Sequence, residues 1–459
     1  MKRIAFLLLA LTSLAYAAMA ATRPHYGGTL HVAMQSAPAA LDLPALSAPT
    51  DYWEMARVLS LVGDNLVKID AEDRPEPVLA LNWQRDSTSC HWQFTLHHGL
   101  MFHDGSPASP SAMAQILGTV HPDWTVRASG DSLTIDTESS TPSLLAELAL
   151  PRNLILTRKA SGIPVGTGPF RVAEFQPGRL LKLAANEESW AGRPFLDTIE
   201  IEFGKSLRDQ AVALELGRTD VIEVTPQAVA ASARLRTSSS LPVEMMALLF
   251  TPNSKAQDVH LRQALALSID RKPIQSVLLK GAPEPAACLL PNWMTGYSAA
   301  FSTQTNVQRA KALLAESRQP VLTLSYDPRD PQAQLIAERI ALNAREAGIS
   351  IQVSLSGPDD LRLVRIALPS PDPALALREL ARQLSLPEPV LHGGSVEDLY
   401  GAERALLEGN SVIPLFHLQV ANAVGARVHG WAPYELGFGN LADLWVQPGS
   451  AEARLEDSR

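Results

Sequence analysis

Apolar and polar residues alternate in several short segments of this 459-residue chain. In the segment 198–203, Ile199, Ile201 and Phe203 alternate with two glutamates, which predicts a strand with one buried and one solvated face. Short apolar or alternating runs bounded by turn residues predict further strands, which cover the segments 29–34, 92–96, 133–135, 170–175, 180–184, 220–224, 320–326 and 349–355.

Apolar residues three or four positions apart predict helices between these strands. Met55, Leu59 and the apolar positions that follow them predict a helix over 53–68. Ser206 begins another helix in the manner of a capping box, and Gly217 ends it. Capping residues and terminal glycines predict the remaining helices over 258–268, 270–281 and 330–347.

The order of these elements predicts a sheet that is parallel in part. The strand at 198–203, the helix after Ser206 and the strand at 220–224 form a strand-helix-strand unit, which joins parallel strands. The late strand 412–418 contains Pro414, whose missing N–H predicts a position at the sheet edge.

The first 20 residues have the pattern of a secretory signal peptide. Lys2 and Arg3 precede an apolar run from Ile4 to Leu14, and two A-x-A sequences follow it. The run is shorter than the roughly 20 residues that span a bilayer. No cysteine follows it, so we expect a periplasmic protein without a lipid anchor.

Composition narrows the classes of function. The formal net charge is −9 and no basic stripe occurs, which argues against nucleic-acid binding. Cys90 and Cys288 are far apart in sequence. An oxidising compartment permits a disulfide between them, but two separate thiols fit the sequence equally.

Residues that often carry chemistry do not combine into a catalytic motif. Adjacent His97 and His98 would point to opposite faces of a strand, so a metal site with His103 and Asp104 is disfavoured. The run His392-Gly393-Gly394-Ser395 lacks the serine elbow of a hydrolase. Gly166-x-Gly168 precedes a strand instead of a helix, which disfavours a nucleotide site. We therefore expect no enzyme activity, no metal and no cofactor.

Aromatic residues in or beside loops are better candidates for a binding pocket, although large rings are more often part of a core. They are Trp53, Trp190, Trp293, Tyr297, Trp431 and Tyr434.

Several motifs occur in an order that resembles the extracytoplasmic solute-binding proteins of ABC importers, in the peptide and nickel class known as family 5. The motifs are Gly27-Gly28-Thr29-Leu30 with Leu41-Asp42, Phe102-His103-Asp104-Gly105-Ser106-Pro107, Gly166-Thr167-Gly168-Pro169-Phe170 with Asn186 to Trp190, Leu216-Gly217-Arg218-Thr219-Asp220-Val221, and Leu261 to Arg271.

This resemblance implies an α/β fold of the type II periplasmic-binding-protein kind. It has two α/β lobes, an inter-lobe cleft and an extra segment on the N-terminal lobe. The implied division is a signal peptide at 1–20, a discontinuous lobe I at 21–52, 165–239 and 412–459, an extra segment at 53–164, and a shortened lobe II at 240–411.

The implied function is that of the substrate-binding component of an ABC transporter, which captures a solute between the lobes and delivers it to an inner-membrane permease. An oligopeptide is the default ligand. The stretch 365–371 before Asp372-Pro373 lacks the carboxylate that peptide-binding relatives carry there. Two alternatives remain, an orphan sensor with the same fold and a secreted hydrolase. We expect a monomer.

Four residues are the candidate ligand contacts. Trp293 and Tyr297 lie near a loop that approaches the ligand in relatives. Arg365 could meet a ligand carboxylate or be a solvated strand residue, and His417 belongs to a late strand near the cleft.

Overall fold

The computed structural model describes residues 24–42, 49–70, 74–225, 236–281, 283–315, 320–330, 332–355, 358–391, 394–431 and 441–447. The predicted signal peptide, the side chain of Trp53, the pair His392-Gly393 and Tyr434 lie outside this description.

Strands and helices alternate through most of the chain. The strands are β1 (Thr29–Ala33), β2 (Val67–Ile69), β3 (Pro75–Pro77), β4 (Ala80–Arg85), β5 (His91–Leu96), β6 (Thr125–Ser129), β7 (Ser132–Asp136), β8 (Leu156–Arg158), β9 (Pro164–Gly166), β10 (Phe170–Gln176), β11 (Leu180–Ala185), β12 (Thr198–Glu202), β13 (Val221–Val224), β14 (Arg236–Phe250), β15 (Glu284–Pro285), β16 (Leu322–Tyr326), β17 (Ile351–Val353), β18 (Leu361–Ala367), β19 (Val412–Val424), β20 (Val428–His429) and β21 (Trp445–Val446).

The helices are α1 (Pro49–Ser60), α2 (Pro110–Val120), α3 (Leu144–Leu148), α4 (Leu207–Glu215), α5 (Val259–Ser268), α6 (Arg271–Pro273), α7 (Asn292–Thr295), α8 (Val307–Leu314), α9 (Ala333–Ala347), α10 (Pro373–Gln383) and α11 (Val396–Leu407). Residues Ile274–Leu278 continue α6 as a π-helical turn, and 3₁₀ turns cover Pro151–Asn153, Ser298–Ala300 and Leu441–Asp443.

One long mixed sheet runs through both lobes in the strand order β10-β11-β12-β1-β13-β19-β14-β18-β16-β17, and β15 also pairs with β19. Strand β1 is parallel to both β12 and β13, which confirms the predicted parallel unit. Ser206 caps α4 with its hydroxyl, which accepts from the Asp209 N–H at 3.2 Å.

The two lobes are joined where β14 and β19 cross between them. These strands are antiparallel over almost their whole lengths, and β14 has irregular register between Ser239 and Glu244. The predicted edge position holds for the part of 412–418 that contains Pro414. Among the described strands, residues 412–414 pair only with β14, while β15 pairs with residues 416–417 and β13 pairs with residues 421–424. Pro414 is accommodated beside an irregularity in the pairing with β14, after Met246.

The glycine motif at 166–170 explains where α1 ends. The N–H groups of Gly168 and Phe170 donate to the carbonyls of Val62 and Leu61, both at 2.9 Å. A Cβ on Gly168 would lie 2.7 Å from the Leu61 oxygen, so this approach requires glycine. Helix α1 ends at Ser60, so the predicted helix over 53–68 is too long at its C-terminal end. The carbonyls of Leu61 and Val62 accept hydrogen bonds from the glycine motif instead of from a further helical turn.

Apolar side chains form separate cores in the described part of the chain. One surrounds β1, β10 to β13 and α1, a second lies under the antiparallel sheet β4-β5-β7-β6, and two others lie on the faces of β14, β16, β18 and β19. The residue boundaries of the lobes stay a prediction.

Candidate functional site

The carboxyl ends of β1, β13 and β16 meet polar residues from both lobes. Gln35, just after β1, donates its N–H to Glu223 of β13 at 2.7 Å. Its side-chain amide donates to the Arg329 carbonyl at 3.1 Å, in the loop after β16. This hydrogen bond crosses the cleft, and crevices at the carboxyl ends of strands are the usual ligand sites of open α/β sheets.

Three charged side chains of β14, β18 and the loop after β16 converge at the same place. Arg365 Nε lies 3.5 Å from Glu244 Oε2, and Arg365 Nη1 lies 3.3 Å from Asp330 Oδ2. The side chains of Arg365, Glu244 and Asp330 retain 32%, 20% and 10% of their exposure. These groups are deep in the protein but still accessible.

Charged groups from both lobes affect the pKa of Glu244. Burial raises the pKa of Glu244, and the positive charges of Arg365 and Arg57 oppose that rise. The negative charges of Asp330 and Glu223 raise this pKa further. We call Arg57, Glu223, Glu244, Asp330 and Arg365 the inter-lobe charge cluster. Because it contains both signs of charge, it can complement a ligand that carries both an amine and a carboxylate.

The extra segment also contacts the C-terminal lobe. Arg152 Nη1 lies 2.6 Å from Glu379 Oε2 of α10, while Arg152 Nε donates to Glu147 at 2.8 Å. Leu150 and Leu375 bury apolar surface beside this pair. The contact links the predicted 53–164 segment to the predicted lobe II.

Two of the predicted residues, Tyr297 and His417, form a buried arrangement with Glu403. We call these three residues the loop anchor. The Glu403 carboxylate accepts from the Tyr297 hydroxyl at 2.5 Å and from the N–H groups of Leu289 and Leu290. His417 Nε2 lies 3.1 Å from the Leu289 carbonyl oxygen. The anchor fixes the loop that leads into α7.

Burial dominates the pKa values in the loop anchor. It raises the pKa of Glu403 to about 7 against the opposing effect of the hydrogen bonds that the carboxylate accepts. It lowers the pKa of His417 to about 4, so this ring is neutral at pH 7. The pKa of Tyr297 is raised by burial and by the nearby Glu403 carboxylate.

The four predicted contacts thus lie in different surroundings. Arg365 is in the inter-lobe charge cluster, and Trp293 donates its indole N–H to the Pro242 carbonyl at 2.8 Å, beside the strand crossing. Tyr297 and His417 belong to the loop anchor. Their roles in ligand binding stay predictions.

Sequence reasoning missed the other members of the inter-lobe charge cluster. One signal was available, because Glu244 interrupts an apolar stretch from Leu241 to Phe250. A charge within a buried strand indicates either a paired structural role or a binding site.

Other sequence candidates have structural partners. His103 Nε2 lies 2.8 Å from the Gly168 carbonyl oxygen and helps hold the glycine turn. Cys90 and Cys288 are not bonded to each other. In the described ranges, no group of three or more His, Cys, Asp or Glu side chains has an arrangement suited to a metal ion.

A family model identifies the chain. The model of the bacterial extracellular solute-binding proteins, family 5 (middle region), matches residues 74–362. The chain belongs to this family. Family 5 proteins are solute-binding components of ABC transporters, and the matched relatives and structural neighbours are binding proteins, not enzymes.

Similarity to individual family 5 proteins is distant. The chain is 28% identical over 242 residues to the nickel-binding protein NikA of Staphylococcus aureus, a match that covers 50% of this chain and 49% of that protein. It is 27% identical over 203 residues to the peptide transport periplasmic protein SapA of Salmonella typhimurium, covering 41% and 37%. These matches span half or less of the relatives' lengths.

The fold extends over nearly the whole chain. The periplasmic binding protein AgaA from A. tumefaciens R10, solved in complex with agropinic acid, superposes with a TM-score of 0.79 at 18% identity. That superposition covers 92% of this chain and 99% of AgaA. The predicted type II fold, with two α/β lobes and a cleft, is therefore confirmed.

The comparisons also bear on location. Family 5 relatives are periplasmic or extracytoplasmic proteins. None of the helices in the described ranges combines the length and apolar character that crossing a bilayer requires.

Proposed function

We propose that this family 5 protein captures a small zwitterionic solute, by default an oligopeptide, in the inter-lobe cleft and delivers it to an inner-membrane ABC permease. We also propose that it acts in the periplasm as a monomer, after removal of its signal peptide, with the lobe boundaries predicted from the sequence.

One observation carries the proposal for the ligand: Arg365 lies between Glu244 and Asp330 with moderately long separations of 3.5 and 3.3 Å. Arg427 and Asp220 approach to 2.5 Å elsewhere in the protein. Arg365 can turn to a ligand carboxylate, and the carboxylates of Glu244 and Asp330 can then accept from a ligand amine.

The cross-cleft hydrogen bond from Gln35 to Arg329 supports closure around such a ligand. Closure is favoured only if the ligand binds the closed state more tightly than the open state. A ligand that contacts Arg57 and Glu223 on one side and Arg365 and Asp330 on the other satisfies this condition.

The test uses a thermal-shift screen of the purified mature protein. The panel contains di- to pentapeptides, the same peptides with acetylated and amidated ends, simple sugars and nickel-histidine. A ligand that binds only the native state raises the midpoint of unfolding. We expect free peptides to raise it and the blocked peptides to have no effect.

Stabilisation by nickel-histidine or sugars, with none by free peptides, would contradict the proposed ligand class. Mass spectrometry of solutes that co-purify with the protein from periplasm provides an independent identification.

A further inference from the structure

The C-terminal lobe contains a cavity of about 560 Å³ that is separate from the inter-lobe cleft. It lies between α5, the start of β19 and the second half of α11. Pro414 lines the cavity, and Leu418 of the same strand pairs with Glu244 of the inter-lobe charge cluster. Four residues of extended strand, roughly 13 Å, separate the two positions. The cavity lining includes no member of the inter-lobe charge cluster.

A buried arginine faces this cavity without a counter-charge. Arg271 is 5% exposed, and it donates to the carbonyls of Ala286 at 3.0 Å and Pro414 at 2.7 Å. In the part of the chain that the structure describes, no carboxylate forms an ion pair with Arg271, and its Nη1 has no protein acceptor. Two neutral acceptors hold the guanidinium in place and leave its charge uncompensated.

Such an arrangement is unfavourable unless something else compensates it. Burial lowers the pKa of Arg271 to about 10, so the side chain stays positively charged at neutral pH. A buried charge without an ionic partner is rare in proteins and indicates a binding site or a missing ion.

The other lining residues favour an anion with an apolar part. Arg404 is exposed at the cavity mouth, where it lies over the ring of Tyr400 at 5.8 Å. Glu408 is also exposed there, so the lining has two guanidinium groups and one carboxylate. Gln263 and Gln304 add amide groups to the lining.

The apolar part of the lining comes from side chains of α5, β19 and the loop before α8. These residues are Leu267, Phe301, Val412 and Ile413.

We propose that this cavity is a second ligand site, which binds a small organic carboxylate through Arg271 and Arg404 and covers its hydrocarbon part with Phe301 and Leu267. The site does not depend on the ligand of the cleft.

The test is calorimetric titration of the mature protein with benzoate as the probe. Benzamide is the uncharged control for the ligand, and inorganic phosphate tests whether any oxyanion suffices. We expect benzoate to bind in a 1:1 ratio and benzamide to bind at least about tenfold more weakly, since a charge-assisted hydrogen bond is lost.

Variants locate the site. Arg404→Gln should weaken benzoate binding roughly tenfold, and Ala405→Trp should abolish it by filling the cavity. Arg309→Gln, on an exposed position of α8, should leave it unchanged. Arg271→Gln should abolish benzoate binding. If this variant does not fold, Arg404→Gln and Ala405→Trp still test whether benzoate binds in the cavity.

Equal binding of benzoate and benzamide would overturn the proposal, as would wild-type affinity in both Arg404→Gln and Ala405→Trp. Binding of phosphate without benzoate would also overturn the assignment to an organic carboxylate.

Discussion

The loop anchor and the inter-lobe charge cluster both contain carboxylates that are largely removed from solvent, but they differ in burial and in how those groups are satisfied. Glu403 accepts from a hydroxyl and two backbone N–H groups, and its residue has no exposed surface. Glu244 retains 20% of its side-chain exposure and has an arginine at 3.5 Å. We expect the first arrangement to stabilise the fold and the second to exchange its partners for a ligand.

The largest expected effect comes from removing the centre of the loop anchor. Glu403→Ala leaves buried N–H groups and the Tyr297 hydroxyl without an acceptor, so we expect the free energy of unfolding to fall by about 3 kcal/mol or more. Urea unfolding followed by circular dichroism measures it. The control Glu397→Ala, at an exposed position of the same helix, should cost less than about 1 kcal/mol.

If both variants lose the same small amount of stability, Glu403 does not hold the loop and the contrast between the two clusters fails.

The second prediction concerns pH. Glu403 has a raised folded-state pKa of about 7, so its contribution to stability is lost as pH rises from about 4.5 to 7. His417 has a lowered folded-state pKa of about 4, so its contribution is lost as pH falls from about 6.5 to 4. The two slopes have opposite signs and largely cancel between pH 4.5 and 6.5.

His417→Gln removes one of these slopes. We expect the stability of wild type minus that of the variant to rise by about 1.4 kcal/mol per pH unit between pH 4.5 and 6.5. Urea unfolding at half-unit intervals of pH measures this difference. A stability difference that is constant across the range would show that the pKa of His417 is not lowered in the folded protein.

A smaller effect is expected at the contact between the extra segment and the C-terminal lobe. Arg152→Met removes the ion pairs with Glu379 and Glu147. We expect this to weaken the contact between the two parts by about 1 kcal/mol and, if the contact favours closure around the ligand, to lower peptide affinity roughly fivefold. Calorimetry measures the affinity, and small-angle scattering measures the radius of gyration of the liganded protein. The control Arg382→Met removes a partner of Glu379 on the same helix and should leave both quantities unchanged.

Equal losses of peptide affinity in Arg152→Met and Arg382→Met would mean that the ion pairs of Glu379 stabilise only α10 and do not favour closure around the ligand.

The sequence predicted local structure best where local signals were sufficient. The unit β12-α4-β13 follows from alternation, the Ser206 cap and Gly217, which all act within a few residues. The prediction for 53–68 failed at its C-terminal end because a distant segment decides it. The turn at 166–170 takes the carbonyls after α1.

The candidate site was predicted less well, because residue type does not specify surroundings. Arg365 was a candidate, but its neighbours Glu244 and Asp330 come together only through the register of β14 with β18 and the loop after β16. Tyr297 and His417 were candidates as an aromatic residue and a histidine near the cleft. Their contacts with Glu403 and Leu289 depend on tertiary packing that no local pattern encodes.

The central claim is that Arg365 exchanges its carboxylate partners for a ligand, and its most direct test is the calorimetric Kd of the peptide that best stabilises the wild-type protein. The variant is Arg365→Met. The matched control is Arg362→Met, which removes an exposed arginine of the same strand that pairs with Asp359. We predict that Arg365→Met weakens binding at least about tenfold and that Arg362→Met stays within about twofold of wild type. Equal Kd values for the two variants would contradict the account.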